Sequence, residues 1–105
     1  MIKMFYLKIF KKIVRYLSER HPDIYFANFS DVLNGLSYAD GSVIYLDPRK
    51  DILPTLIHEC LHAVYPYASE NLVVLVERKL TKWLEEPEWT LLLELLYFNL
   101  GGENV

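Results

Sequence analysis

Apolar residues in the first part of the chain recur with the 3.6-residue period of an amphipathic helix, over residues 2–19. The residues that follow this period are Ile2, Phe5, Tyr6, Ile9, Phe10, Ile13, Val14 and Leu17. Lysines and Arg15 occupy the other faces, so we expect a helix that covers the core and turns a basic face to solvent. A basic amphipathic helix can instead lie on a membrane surface, and this alternative stays open. The helix should end at His21-Pro22, because the residue before a proline avoids the α region.

Three short strands are predicted after this helix. Residues 23–29 are rich in aromatic and β-branched side chains, which favour strands. Two further apolar runs, 36–39 and 43–47, flank Asp40-Gly41, and Asp-Gly between apolar runs is a strong hairpin signal. We therefore expect a three-stranded, mainly antiparallel sheet.

The second half of the chain predicts three helices, over residues 54–65, 70–84 and 89–99. Asp51 and Ser69 are the residue types that cap the first two of these helices. The fold class that follows is α+β, with an N-terminal helix, a sheet and three further helices. At 105 residues the chain is long enough for a single domain, residues 1–105, with one modest core.

Composition narrows the classes of function. The chain is 52% apolar, which favours a folded globular protein over a disordered one. Its net charge of -3 gives no reason to expect a nucleic-acid partner. The single cysteine excludes an internal disulfide and fits a reducing compartment, and no stretch is apolar enough to span a bilayer, so we expect a cytoplasmic protein.

The chemistry is concentrated in His58-Glu59-Cys60-Leu61-His62, which has the pattern H-E-x-x-H. Two histidines at i and i+4 lie one turn apart on one helix face, where both imidazoles can reach one metal ion. Glu59 is placed beside them to take a proton from a metal-bound water. Cys60 should point away from the metal into the core. The alternative is an amphipathic helix with two surface histidines and no metal.

A catalytic zinc site needs a third protein ligand. The two helices at 54–65 and 70–84 should form an antiparallel hairpin, which brings Glu77 level with His58. We favour Glu77 as the third ligand, with Glu70, near the bend, as the alternative. The glutamate that is not a ligand would hold an imidazole N–H. His21, the only other histidine, is a further candidate ligand.

The motif and its flanks resemble the zinc peptidases. Residues 55–64 match the longer consensus, with a threonine three residues before His58, uncharged residues at both x positions of the motif and directly after His62, and then an apolar residue. A glutamate-bearing helix after the motif helix resembles the gluzincins, and the small size resembles the minigluzincins and the minimal SprT-like domain. SprT-like enzymes use a histidine as third ligand, and no histidine follows His62. That difference favours the gluzincin type.

The resemblance implies a zinc metallopeptidase that acts on a peptide or protein substrate. His58 and His62 would be Zn²⁺ ligands and Glu59 the general base. The strand before the motif helix would bind substrate by strand addition through Val43, Ile44 and Tyr45. The oxyanion donor stays open among four side chains, Tyr65, Tyr67, Arg78 and Tyr97.

Two alternatives accompany this hypothesis. The chain could be a non-catalytic zinc-binding or protein-interaction module with a peptidase-like fold. It could also be latent, like a zymogen, if the last helix or residues 101–105 cover the zinc. The oligomeric state does not follow from the sequence.

Overall fold

The computed structural model describes residues 2–27, 35–37 and 40–101. Most of these residues are helical. The four α-helices are α1 (Ile2–Arg15), α2 (Ile52–Val64), α3 (Glu70–Trp83) and α4 (Glu86–Phe98). The three strands are β1 (Asp23–Phe26), β2 (Gly35–Ser37) and β3 (Val43–Leu46).

The first helix follows its predicted course but changes character near its end. After α1, residues Tyr16–Arg20 form a π-helical turn, which ends at His21 in the left-handed region with φ of 50°. Two tertiary hydrogen bonds act on this turn. The Tyr16 hydroxyl donates to the Gly41 carbonyl over 2.7 Å, and the Asn99 amide donates to the Leu17 carbonyl over 2.9 Å. The predicted end of the helix at His21 is confirmed.

The sheet differs from the prediction. Its strand order is β1-β3-β2, and β3 pairs with β1 in parallel and with β2 in antiparallel orientation. The expected mainly antiparallel sheet is wrong, because the longer of the two pairings is the parallel one. The Asp40-Gly41 signal specifies the β2–β3 pair alone. The place of β1 is fixed instead by burial, since Ile24 pairs with Ile44 and both side chains are fully buried.

The C-terminal segment covers the other edge of β1. Ile24 donates its backbone N–H to the Asn99 carbonyl over 2.9 Å, and its own carbonyl accepts from the Gly101 N–H over 2.8 Å. A side chain at position 101 would meet the Tyr25 ring at 2.9 Å, so only glycine allows this approach. The segment after α4 is thus part of the sheet, up to the last described residue.

Local signals account for the starts of α3 and α4. The Ser69 hydroxyl accepts a hydrogen bond from the Leu72 N–H over 3.1 Å, which confirms the predicted cap of α3. α4 begins three residues before the predicted start, because Glu85 and Glu88 form a reciprocal capping box. At α2, Asp51 holds the cap position but its side chain makes no capping hydrogen bond.

Helix α2 lies at the centre of the core. It packs against the sheet and against each of the other three helices. In its central stretch, residues 55–63, every residue is buried except His58 and His62. None of the described helices is long and apolar enough to cross a membrane.

Replacement of Leu56, a fully buried residue of α2, tests this packing. We expect Leu56→Ala to lower the free energy of unfolding by about 2–5 kcal/mol, because it leaves a cavity in the core. The same substitution at Leu93, which is 55% exposed on α4, should change it by less than about 0.5 kcal/mol. Urea unfolding of both variants measures the two values. Similar losses at the two positions would contradict the central place of α2.

Candidate metal centre

The two histidines of the H-E-x-x-H motif meet at one face of α2. Their rings are edge to face with centroids 4.9 Å apart, and their Nε2 atoms are 3.2 Å apart. The rest of the helix middle is packed into the core, which fixes the helix with both histidines on this face. The spacing of four residues therefore brings two nitrogen donors together, as the motif requires.

Glu70 faces both histidines. It is the first residue of α3, and the Ser69 cap fixes where that helix starts. Its Oε1 atom lies 2.7 Å from the Nε2 atom of His62, and its Oε2 atom lies 3.2 Å from the Nε2 atom of His58. One carboxylate thus spans the two imidazoles.

Glu77 lies on the other side of the His58 ring. Its Oε1 atom is 3.0 Å from the Nδ1 atom of His58, two helical turns beyond Glu70 on α3. A carboxylate on Nδ1 favours the tautomer with a proton there, which leaves the Nε2 lone pair directed toward His62 and Glu70. The hairpin register predicted contact between Glu77 and His58, but this contact is at the nitrogen that faces away from the other donors.

The donor atoms have the spacing of a metal site. One donor atom each from His58, His62 and Glu70 lies within 4.8 Å of the others, so this group could hold a metal ion. Bonds of about 2.0–2.1 Å at tetrahedral angles put the ligand atoms of zinc about 3.3 Å apart. The Nε2 atoms of the two histidines, 3.2 Å apart, are close to that value, and each of them lies near a different oxygen of Glu70, at 3.2 Å for His58 and 2.7 Å for His62. Two imidazoles and a carboxylate suit zinc and several other divalent metals.

Exposure increases across the group toward Glu70. The side chain of His58 is 16% exposed, that of His62 30% and that of Glu70 63%. The site is therefore held by buried α2 on one side and open to solvent on the other. An open side is what a metal that must also bind a substrate requires.

Glu59 is nearly buried beside this group, at 7% exposure. The negative charge of Glu59 contributes to the raised pKa of His58. Cys60 is fully enclosed in the core, where burial raises the pKa of its thiol and keeps it protonated. Its expected place away from the metal group is confirmed.

The predicted substrate strand has no free edge where it was expected to bind. Ile44 and Tyr45 pair with β1 on one side and with β2 on the other. Strand addition needs unpaired backbone groups, so Ile44 and Tyr45 do not form the expected peptide-binding edge, and Val43 pairs with Asp23 of β1 on one side. The Asp40-Gly41 turn signal predicts the pairing of β3 with β2. The parallel pairing with β1 has no local signal.

The other candidate ligand, His21, and two of the candidate oxyanion donors, Tyr67 and Tyr97, lie in separate parts of the fold. His21 contacts the Phe98 ring at the end of the π-helical turn and is not part of the metal group. Tyr67 is almost fully exposed in the connector between α2 and α3. Tyr97 is exposed on α4. The latency hypothesis concerns the last helix and residues 101–105. The last helix is α4, which packs against α2, and of residues 101–105 only Gly101 is described, bound to β1.

Sequence reasoning ranked the two glutamates by their level along the helix hairpin. The level along the hairpin predicts that both carboxylates lie near the histidines, but it does not predict which imidazole nitrogen each carboxylate contacts. The signal that favours Glu70 is its position directly after the Ser69 cap, eight residues beyond His62. A carboxylate at the start of α3 can turn back over the end of α2, whereas Glu77 lies alongside His58.

Comparisons were made with models of known protein families, with curated proteins and with solved structures, and none of them matches this chain. The site geometry and the H-E-x-x-H motif are therefore the observations that bear on function.

Exchange of each glutamate for glutamine should separate their roles. We expect Glu70→Gln to abolish tight zinc binding, because it removes a charged donor from the group. Glu77→Gln should weaken binding by about 10–100-fold, since it loosens the orientation of His58 without removing a donor. Competition with a chromophoric chelator measures both, with Glu94→Gln on α4 as the matched control. The reverse order of the two losses would assign the ligand role to Glu77.

The pKa of His58 is raised, first because Glu77 hydrogen-bonds its ring, with the charges of Glu70 and Glu59 adding to the effect and burial opposing it. A raised pKa in the folded state means that protonated His58 stabilises the metal-free fold below the unfolded pKa of about 6.5. This contribution is lost as the pH rises through the higher folded value.

Glu77→Gln should remove much of that pH dependence from the metal-free protein. As the pH rises from about 6.5 to the raised pKa of His58, we expect the wild type to lose stability relative to this variant, because its folded state binds the proton more tightly. Urea unfolding in the presence of a chelator, across this pH range, measures the difference. Parallel pH curves for the two proteins would show that Glu77 does not act on His58.

Proposed function

We propose that the chain is a small zinc-dependent metallopeptidase of the gluzincin type, which hydrolyses peptide bonds. The observation that carries this proposal is the convergence of His58 and His62 of α2 with Glu70 of α3 at metal-ligand spacing. Helix α2 also bears Glu59, directly after His58. The match of residues 55–64 to the zinc-peptidase consensus supports it.

Each residue around the group has a proposed role. His58, His62 and Glu70 hold the ion, and Glu77 orients His58 by accepting the hydrogen bond from Nδ1. A zinc ion held by these residues would supply Lewis acidity for a substrate carbonyl and a lowered pKa for a bound water. The protein leaves the Glu70 side of the group open, and a scissile peptide bond would approach from there.

Glu59 acts as the general base. Its position next to His58 on α2 places it beside the group, and its low exposure keeps it out of bulk water. In this role the carboxylate takes a proton from the attacking water and passes it to the leaving amine. A general base of this kind contributes about 10²–10⁴-fold to a reaction rate.

The substrate path differs from the one expected from the sequence. β1 is covered by residues 99–101 and β3 is paired on both edges, so among the described strands β2 alone has an edge without a partner. β2 also packs closely against α2. An extended peptide that adds a strand to the sheet would therefore pair with β2.

Glu59→Gln tests the peptidase proposal. We expect the variant to keep its zinc, because residue 59 is not a ligand, and to lose peptide cleavage by at least about 100-fold. Cleavage of a mixed peptide library, followed by mass spectrometry, measures activity without a known substrate. Elemental analysis of the same samples measures the metal. Cleavage that survives in Glu59→Gln would contradict the proposed base.

The second candidate is a non-catalytic metal-binding module. It is favoured by one observation, the near-complete burial of Glu59, because a buried carboxylate can serve the fold instead of a reaction. This candidate expects zinc in the wild type and in Glu59→Gln, with no cleavage by either. The library experiment therefore distinguishes it from the peptidase.

A further inference from the structure

The solvent face of α1 combines cations with exposed apolar side chains. Lys8, Lys11, Lys12 and Arg15 all lie exposed at i, i+3, i+4 and i+7, so they share one face of the helix. They are four of the eleven cationic residues in a chain whose net charge is -3. Positive charge is thus concentrated on this helix while the rest of the chain is acidic.

Exposed apolar residues lie directly before these cations. Met4, Phe5 and Leu7, in the first turns of α1, are 64%, 55% and 40% exposed. On the neighbouring helix α3, Leu72 and Leu75 are about half exposed. Large apolar side chains grouped in this way on a soluble surface mark an interaction site.

An open apolar groove joins the two sets of residues. It has a volume of about 180 Å³, and its lining includes Phe5 of α1, Leu72 of α3 and Tyr65 at the end of α2. The Lys12 ammonium lies 5.1 Å from the centre of the Tyr65 ring. A cation therefore lies beside one lining residue of a groove whose other lining side chains are apolar.

We propose that this face, formed by the exposed side of α1 and by Leu72 and Leu75 of α3, docks onto an anionic lipid bilayer. Apolar side chains at the first turns of α1 would enter the interface, and the cations after them would meet the lipid phosphates. Lysine stems can lie along the apolar surface while their charged ends reach the headgroups. The complementarity of a cationic, apolar face and an anionic, apolar bilayer selects this occupant.

A second copy of the chain fits the face less well. A two-fold dimer through α1 would bring the same cations of both copies together, and like charges repel. Glu19 lies 3.7 Å from Arg15 and offsets that one charge, but the three lysines of the face remain. The membrane proposal is independent of the proposed peptidase activity, since it uses none of the metal-site residues.

Co-sedimentation of the full chain with lipid vesicles tests the proposal. At low salt we expect binding to vesicles of phosphatidylcholine mixed with phosphatidylglycerol, and little binding to phosphatidylcholine alone. Added salt should release the protein, because it screens the headgroup attraction. This comparison needs no variant, so it holds even if a substitution disturbs the fold. Equal binding to both kinds of vesicle, or none to either, would overturn the proposal.

Charge reversal locates the binding face. The double variant Lys8→Glu and Lys11→Glu should lower the partition coefficient by at least about tenfold. The single variant Lys50→Glu makes the same change of charge as Lys8→Glu at a position outside α1 and α3, and should bind like the wild type, whereas Lys8→Glu should not. Equal losses in the two single variants would show that net charge alone attracts the chain, and would overturn the assignment to α1.

Phe5→Ser tests the apolar part of the face. We expect it to weaken binding to the mixed vesicles while leaving the salt dependence in place, because the cations remain. Sedimentation equilibrium without lipid provides the other outcome. A wild-type dimer that Phe5→Ser converts to a monomer would show that a second copy covers this face, which would overturn the membrane proposal.

Discussion

Burial of α2 is the constraint on which the rest of this structure depends. The helix must be enclosed by the sheet and the other helices, yet it must leave two imidazoles accessible. It meets both needs because every residue from 55 to 63 except His58 and His62 is buried. Because the helix is packed on all its other sides, it cannot rotate about its axis, so the core keeps both histidines on the same open face.

The carboxylates come from the neighbouring helix. A short connector makes α2 and α3 an antiparallel pair, and the Ser69 cap sets the rotation at which α3 begins. Glu70 and Glu77 then reach the same imidazole from two sides, at its Nε2 and Nδ1 atoms. The site thus has an inner carboxylate among the donors and an outer one that orients a donor, which is a common arrangement around metal-bound histidines.

Local chemistry made much of this predictable. The motif helix, its end before Pro66, the Ser69 cap and the β2–β3 pairing all follow from signals within a few residues. The parallel partner of β3 was not predictable, because it depends on packing of Ile24 against Ile44 across the chain. The same holds for the π-helical turn, whose Leu17 carbonyl is bound by Asn99, 82 residues away. The start of α4 at Glu86 also has a local signal, the capping box formed by Glu85 and Glu88.

The roles of the two glutamates mark the limit of the spacing argument. Level along a hairpin places a residue to within about one turn, which is about 5.4 Å, whereas a ligand assignment needs the correct nitrogen of one ring. The most direct test of the account is the metal content of the purified protein, by elemental analysis, beside His58→Ala. The account predicts about one zinc per wild-type chain and none in the variant. A folded wild-type protein that binds no metal, even after zinc is added, would contradict it.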